Sequence, residues 1–388
     1  MLPRERVIAA LEHREGDRIP WGEHSIDYNV FEDILGRPTL TQAKMRTTQA
    51  FWDGRRDEVV ESMKRDVSDL IDALEMDIVY TSRVLERGFR PEPMEKLDEQ
   101  TYRDSGGNLF RVSATTHDLM PYKLATAGYV EPTMADLERQ LDDVVKAPPL
   151  DPTGSEWEFV RHMVATKKKT HFVMLLVGDI VFPGIGATEE DRWMSILEKP
   201  ELCRKQQELT TAWLLRELPV YTALGVDAIM PCGDLGSSTG LMASPAVYRE
   251  MVYPFHQRHV AAARACGLKV LKHCCGHIWP VIQEIADLYD AYEGIQGTAG
   301  MDVAKLKQAV GDRLCLWGGI WHEHIILGGV DDIRADARHA FAGAAPGGGY
   351  IMGSSHSLAV DAKRENILEM KRLRDTWGVY PIRPNRFI

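Results

Sequence analysis

The chain has 388 residues, 44% hydrophobic and 27% charged, with a net charge of −11 and six cysteines. That composition fits a globular protein long enough for two or three small domains or one large barrel. It argues against a nucleic-acid partner, because Lys167-Lys168-Lys169 is too short a basic run to bind phosphates, and against a disulfide framework, because the cysteines are sparse and two are adjacent. No apolar run approaches the ~18 residues of a membrane span. Residues 1–12 read as a charged amphipathic helix without a signal-peptide core, so the expected location is cytoplasmic, with no membrane partner.

In chain order, Val7, Ile8 and Leu11 recur at helical spacing over residues 3–13. Residues 17–24 read as a short strand ending in Glu23 and His24, and residues 40–76 as largely helical. A second short strand starts near 77. Between about 84 and 150 the pattern loosens around a hairpin, residues 101–112, with Ser105-Gly106-Gly107-Asn108 at its turn. Too little apolar sequence surrounds that hairpin to fill a core of its own, so it reads as an insertion. Residues 172–179 form a near-continuous apolar strand, the pattern of a strand buried on both faces. Helices over 189–224, 245–266 (with Pro254 a kink or boundary), 278–289, 302–310 and 362–375 then alternate with strands.

Eight strands are expected, starting near 18, 77, 171, 226, 268, 291, 314 and 349. Strands separated by helices imply a parallel sheet, and eight units favour an α/β fold of the (βα)8 TIM-barrel type over an open sheet. The expected organisation is one barrel domain spanning 1–388, with an N-terminal helical extension and the insertion around 84–150.

The strand 268–273 runs into Cys274-Cys275-Gly276-His277. Side chains alternate along a strand, so His273 and Cys275 share one face and Cys274 takes the other. A nearby imidazole and thiolate suit zinc, although a core strand ending in Cys and His is the plain alternative. In a barrel the strand ends meet at one mouth, which collects Glu23, His24, Asp179, Cys232, Asp234, His273, Cys275, Gln296, His322 and His356. Each also has a structural reading. Asp179 could cap a helix, Cys232 could be core, Asp234 could hold a turn, and His322 could be exposed. Lys272 shares the outward face with Cys274, where its charge would have to snorkel past the helices. Phosphate-loop, dinucleotide and nucleophile-elbow motifs are absent.

Cys232-Gly233-Asp234 followed by residues 235–240, Ser244-Pro245, Tyr253-Pro254, His273-Cys274-Cys275-Gly276, Trp317-Gly318-Gly319-Ile320 and residues 348–356 resemble the uroporphyrinogen decarboxylase superfamily. The resemblance covers most of residues 170–370 and implies a (βα)8 barrel. True decarboxylases carry an Arg-Gln-Ala-Gly-Arg segment after the first strand to grip substrate carboxylates. This chain has Gly22-Glu23-His24-Ser25-Ile26-Asp27-Tyr28 there, a poor fit to a polyanionic tetrapyrrole.

The other branch resembles corrinoid-dependent methyltransferases, whose His-x-Cys zinc motif matches His273 and Cys275. Their thiol-methylating members have a further cysteine after the last strand, where this chain has His356.

What the resemblance implies is a zinc-dependent methyltransferase. It would move a methyl group between a small substrate (aryl methyl ether, amine or thiol) and the cobalt of a corrinoid (cobalamin) supplied by a partner protein. Zn2+ is expected on His273, Cys275 and Cys232. Glu23, Asp234 and His356 are expected in catalysis, with Glu23 a fourth ligand or an acid near the site. His356 is given a part in the site without direct ligation, and His24, Asp179, Gln296 and His322 are expected to bind substrate. The alternatives are a metal-assisted decarboxylase or lyase acting on a small carboxylated substrate, and a binding module for a corrinoid or tetrapyrrole. The hairpin at Gly107 and the Arg55-Arg56 region could serve a homo-oligomer or a partner surface.

Overall fold

Seven of the eight expected strands form one parallel sheet. The structure, a computed structural model, describes residues 1–126 and 128–387. In chain order the strands are β1 (Ile78–Thr81), then β2 (Glu95–Lys96), β3 (Thr101–Arg103), β4 (Leu109–Val112) and β5 (Leu119–Lys123), then β6 (Phe172–Val177), β7 (Ala228–Pro231), β8 (Lys269–His273), β9 (Ala291–Glu293), β10 (Cys315–Ile320) and β11 (Tyr350–Ser354). The parallel sheet runs β1-β6-β7-β8-β9-β10-β11, each strand beside its successor as expected when helices cross between parallel strands. Strands β7, β10 and β11 are buried at every residue, which explains their unbroken apolar runs.

The strand expected near residue 18 is not a ladder strand. It makes only isolated bridges, Arg18 with Val379 and Trp21 with Met352. Pro20 lacks the amide proton that a ladder would use there. The segment still reaches both edges of the sheet. Met352 N donates to Pro20 O at 2.8 Å, Gly22 N to Met352 O at 3.1 Å, and Asp77 N to Trp21 O at 2.7 Å. Trp317 donates its indole N–H to Gly22 O at 2.9 Å from inside the sheet, and Gly353 leaves the room for it, since a Cβ there would overlap that indole.

Several expected helices are split, each at a residue that cannot continue the ladder. The stretch 189–224 becomes Glu189–Glu198, capped by the Thr188 hydroxyl on Asp191 N, and Pro200–Leu224, which starts on proline and ends at Gly225 with positive φ. The stretch 245–266 breaks at Val252 into Pro245–Met251 and Tyr253–Ala265, because Pro254 has no amide to donate backwards. Residues 40–76 hold two helices, Met45–Trp52 and Arg56–Leu74.

The insertion contains more than the expected hairpin. β2, β3, β4 and β5 form a four-stranded antiparallel sheet, followed by the helix Met134–Lys146. No helix among the described residues is long and apolar enough to cross a membrane.

Candidate functional site

The parallel register of β8 and β9 sets His273 beside Glu293, so both side chains share one face, while Lys272 and Tyr292 share the other. Glu293 is fully buried and accepts hydrogen bonds from Nδ1 of His273, a very short contact, and Nδ1 of His24 at 3.1 Å. Burial alone would push this carboxyl up, yet the two imidazoles hold it well below the usual carboxylate range. For His273 burial works downward, and Glu293 outweighs it to leave the imidazole pKa raised. The sequence points to Gln296 at the end of this strand, and the structure puts Glu293 on the imidazoles instead. The usable signal was a carboxylate inside a three-residue strand that is buried throughout.

Cys275 follows β8 in a turn laced to the loop after β7. Asp234 Oδ1 accepts from Cys275 N at 2.8 Å, Cys274 Sγ accepts from Leu235 N at 3.2 Å, and His277 N donates to Ser237 O at 2.8 Å. Gly276 closes the turn with φ +82°, and a Cβ there would overlap the Gly236 carbonyl. Cys274 is fully buried on the opposite face.

His273 Nε2 and Cys275 Sγ lie 3.6 Å apart. Two ligands of a tetrahedral zinc, at ~2.05 Å for nitrogen and ~2.3 Å for sulfur, stand about 3.6 Å apart. Ligand atoms of His273, Cys275 and His356 all lie within 4.8 Å of one another. Burial, with Asp234 and Glu293 nearby, pushes the Cys275 thiol far up, so a cation at this point is what would make it a thiolate. Glu293 behind His273 fixes the ring with Nε2 free, the arrangement usual behind a metal-bound histidine. The donor set therefore fits zinc.

The other expected residues divide. His24 packs against His273, the rings tilted by 35° with centroids 4.3 Å apart, and His356 lies 5.8 Å from His24 and 5.9 Å from His273. His322 is 5.4 Å from His356, with its Nδ1 on Ser357 O at 3.1 Å. The His356 side chain is open at the cavity mouth but packed among these rings on its inner side. That partial burial and the neighbouring His24 bring its pKa down to about 4. Asp234 Oδ1 stands 3.9 Å from His273 Nε2, and Gln296 Oε1 accepts from Gly276 N at 3.1 Å. Cys232 joins neither the ligand atoms of His273, Cys275 and His356 nor the second close group, His24, His273 and Glu293. Its Sγ donates to Met230 O at 3.3 Å, and burial lifts its pKa to about 12.

Asp179 is turned away from the mouth, paired with Lys272. Lys272 takes the outer face, but it does not snorkel to water as expected. It is completely buried because Asp179 and two carbonyls at the strand ends satisfy it in place.

Glu23 is buried against β11. It accepts from Trp21 Nε1 at 2.9 Å, Ser354 N at 3.1 Å and Ser354 Oγ at 2.6 Å, and burial raises its pKa to about 7 despite those donors.

A cavity of about 450 Å³ opens beside the cluster, lined by His24, His322 and His356 together with Thr115, Thr116 and Asp118 from the tip of the β4–β5 hairpin. The only Lys or Arg in its lining is Lys44, which is paired with Asp27 at 2.6 Å and Asp118 at 3.2 Å. Larger cavities of about 710 and 900 Å³ lie by Trp193 and by Arg216, and neither is lined by the histidine cluster.

Residues 185–377 match the family profile described as uroporphyrinogen decarboxylase (URO-D). The likeness to that family spans just under half of the chain. The match takes in β7 to β11 and with them Cys232, Asp234, His273, Cys275, Glu293, His322 and His356, while Glu23, His24 and the hairpin tip lie outside it. No curated protein matches the chain. Among solved structures it is similar to a methyltransferase from Methanosarcina mazei, with TM-score 0.64 and 16% identity over 97% of this chain and 98% of that one, a likeness of fold. More remote are 3-keto-D-glucoside 4-epimerase from E. coli, with TM-score 0.34 and 13% identity over 62% and 87% of the two chains, and a sugar phosphate isomerase/epimerase from Parabacteroides distasonis, with TM-score 0.35 and 10% identity over 59% and 77%.

Proposed function

We propose that this protein is a cytoplasmic methyltransferase that moves a methyl group between a small substrate and the cobalt of a corrinoid carried by a partner protein, using a zinc ion held by His273, Cys275 and His356. On this reading the chain is a single barrel, with residues 18–24 as its eighth stave and the hairpin as an insertion over its mouth. The observation that carries it is the 3.6 Å between His273 Nε2 and Cys275 Sγ, with Glu293 behind the imidazole. The family likeness of residues 185–377 and the fold shared with a methyltransferase support it.

Bound there, zinc supplies a Lewis acid that polarises an oxygen or sulfur of the substrate. The chain's own residues do the rest. Glu293 fixes the His24 and His273 rings. His356, neutral at pH 7 and tied through Nδ1 to Ser357 Oγ, turns Nε2 to the ion. The cavity holds the substrate's remaining atoms in place.

Metal analysis of protein purified without chelator, and the cobalt absorbance of a methylcorrinoid protein mixed with it and candidate methyl donors or acceptors, test the proposal. About one zinc per chain and a cobalt spectral change are expected. No zinc, or no change with any ether, amine or thiol, overturns it.

One observation favours a second reading. A buried carboxyl that stays protonated up to about pH 7 suits a proton donor, which is what a decarboxylase or lyase needs of Glu23. Turnover of a small carboxylated substrate by the protein alone, without a corrinoid partner, would decide for it. The single, already paired Lys44 makes the cavity a poor host for a polycarboxylate.

A further inference from the structure

Cys275 lies beyond the end of β8, where the sheet ladder no longer sets the direction of a side chain. Two side chains from neighbouring loops set it instead. The peptide plane before its Cα is held by Asp234, whose Oδ1 accepts from Cys275 N at 2.8 Å. The plane after it is held by Gln296, whose Oε1 accepts from Gly276 N at 3.1 Å. A planar peptide turns as one body, so pinning both N–H groups fixes φ and ψ of Cys275 and with them the line of its Cα–Cβ bond. The carbonyl of the second plane is met by the Cys274 thiol at 3.5 Å.

The orientation of Gln296 is itself fixed. Gly276 N can only donate, so the amide turns Oε1 to it and Nε2 to Thr298 Oγ1 at 3.2 Å. The Thr298 hydroxyl then gives its own proton to Glu323 Oε1 at 2.8 Å. Both polar ends of Gln296 are thus engaged within the protein, although the side chain lines the cavity.

The loop that carries it, residues 294–300, is bedded on both sides. Gly294 lies on the Cys274 backbone, where a Cβ would come within 2.7 Å of the carbonyl oxygen, and Gly297 lies on the Trp321 indole, which a Cβ would overlap. Past the turn, Trp279 Nε1 donates to Gly300 O at 3.0 Å, and His277 Nδ1 stands 2.9 Å from Ala299 O. The loop after β9 therefore reaches from the turn of β8 to the exit of β10, and Gln296 is the side chain by which it grips the peptide of Cys275.

We propose that Gln296 is a positioning residue that aims the Cys275 thiol at the metal, and not a group that binds substrate. This rests on the reading of His273 and Cys275 as zinc ligands. What the place requires is an acceptor for Gly276 N. Glutamate can supply one, whereas methionine, of similar length, offers only a weakly accepting sulfur.

Two measurements test this, and neither is activity. In metal-free protein isotope-labelled on glycine, the Gly276 amide should exchange about 10-fold faster in Gln296→Met and at the unmodified rate in Gln296→Glu. In competition with a chromophoric chelator, Gln296→Met should bind zinc about 10–100-fold more weakly and Gln296→Glu nearly as well as the unmodified protein, with melting temperatures alike. A residue that merely packed the loop would lower the melting temperature or leave zinc alone. Unchanged Gly276 exchange or unchanged zinc affinity in Gln296→Met, or no rescue by Gln296→Glu, overturns the proposal. Should Gln296→Met fail to fold, Thr298→Val at its exposed position takes its place. It removes the hydroxyl that orients the amide and should weaken zinc by about 3-fold, and an unchanged affinity would overturn the proposal in the same way. No zinc on the unmodified protein would sink the zinc reading, while faster Gly276 exchange in Gln296→Met would still leave Gln296 as the holder of the turn.

Discussion

Lys272 and Asp179 form an ion pair that water does not reach, with side-chain exposures of 0% and 1%. The same ammonium donates to Gly233 O at 2.6 Å and His273 O at 2.7 Å, so one cation ties the ends of β6, β7 and β8 together. Burial opposes both charges. The Asp179 carboxylate more than offsets it for Lys272, whose pKa is raised, and Lys272 with His256 holds Asp179 well below the usual carboxylate range. A depressed carboxyl stabilises the fold above its unfolded pKa of ~4, and a raised amine does so below ~10.4, so the pair contributes fully between those limits.

Lys272→Met strands the buried Asp179 and should cost about 3–5 kcal/mol in denaturant unfolding at pH 7. Replacing both partners, Lys272→Met with Asp179→Leu, should recover most of that loss, because no lone charge remains. Zinc binding should stay weakened in the double variant, since the two strand-end carbonyls have lost their common donor. Full recovery of both would mean that the pair has no part in shaping the site.

Glu293 offers a second check. Its carboxylate accepts Nδ1 protons from two imidazoles, and Gln can accept only through one oxygen while presenting an amide to the other ring. Glu293→Gln should weaken zinc binding by about 10–100-fold in competition with a chromophoric chelator. An unchanged affinity would separate Glu293 from any metal on His273.

These two residues also show where the sequence stopped being readable. The apolar runs of β6 to β11 and the polar residues at their ends are legible because burial on both faces leaves a local pattern. Lys272 and Glu293 sit inside such runs as charges, and their partners, Asp179 and His24, are 93 and 269 residues away. Nothing local reveals a partner at that distance. The segment 18–24 misled for the opposite reason. Its apolar residues suit a strand, but Pro20 costs it the ladder, and only backbone bonds to Met352 and Asp77 show how it sits. The hairpin at residues 101–112 was legible from its turn, whereas its neighbour β5 and the reach of their connecting tip to the cavity depend on packing.

Glu23 gives a prediction in pH. Its folded pKa of about 7 lies above the ordinary 4.5, the sign expected when burial disfavours the charge. The stability it contributes is therefore fully present below ~4.5 and is lost as pH rises through about 7, a change of about 3 kcal/mol if the shift is complete. Relative to Glu23→Gln, the unmodified protein should lose stability between pH 5 and pH 8. Its infrared spectrum should show a protonated carboxyl band near pH 6 that the variant lacks. A band already gone at pH 5 would place Glu23 among ordinary carboxylates and remove it as a proton donor at neutral pH.

The last prediction separates the metal ligands from their neighbours. His273 and Cys275 leave the end of β8 on the same face, and His356 arrives from beyond β11 with its ligand atom within 4.8 Å of both. The pKa of His356, brought down to about 4, leaves its imidazole neutral at pH 7 and ready to coordinate without first losing a proton. Its Nδ1 lies 2.9 Å from Ser357 Oγ, which leaves Nε2 for the metal. His273→Ala and Cys275→Ser should each abolish stoichiometric zinc. His356→Ala should keep the fold and also lose stoichiometric zinc, whereas loss of a proton carrier alone would leave the metal in place. Cys274→Ala should keep the metal, because its thiol points to the far side of β8 and meets Leu235 N instead. Cysteine 232 sets the alternative: zinc lost from Cys232→Ser and kept in His356→Ala would mean that the third ligand comes from the end of β7 and that His356 serves the substrate.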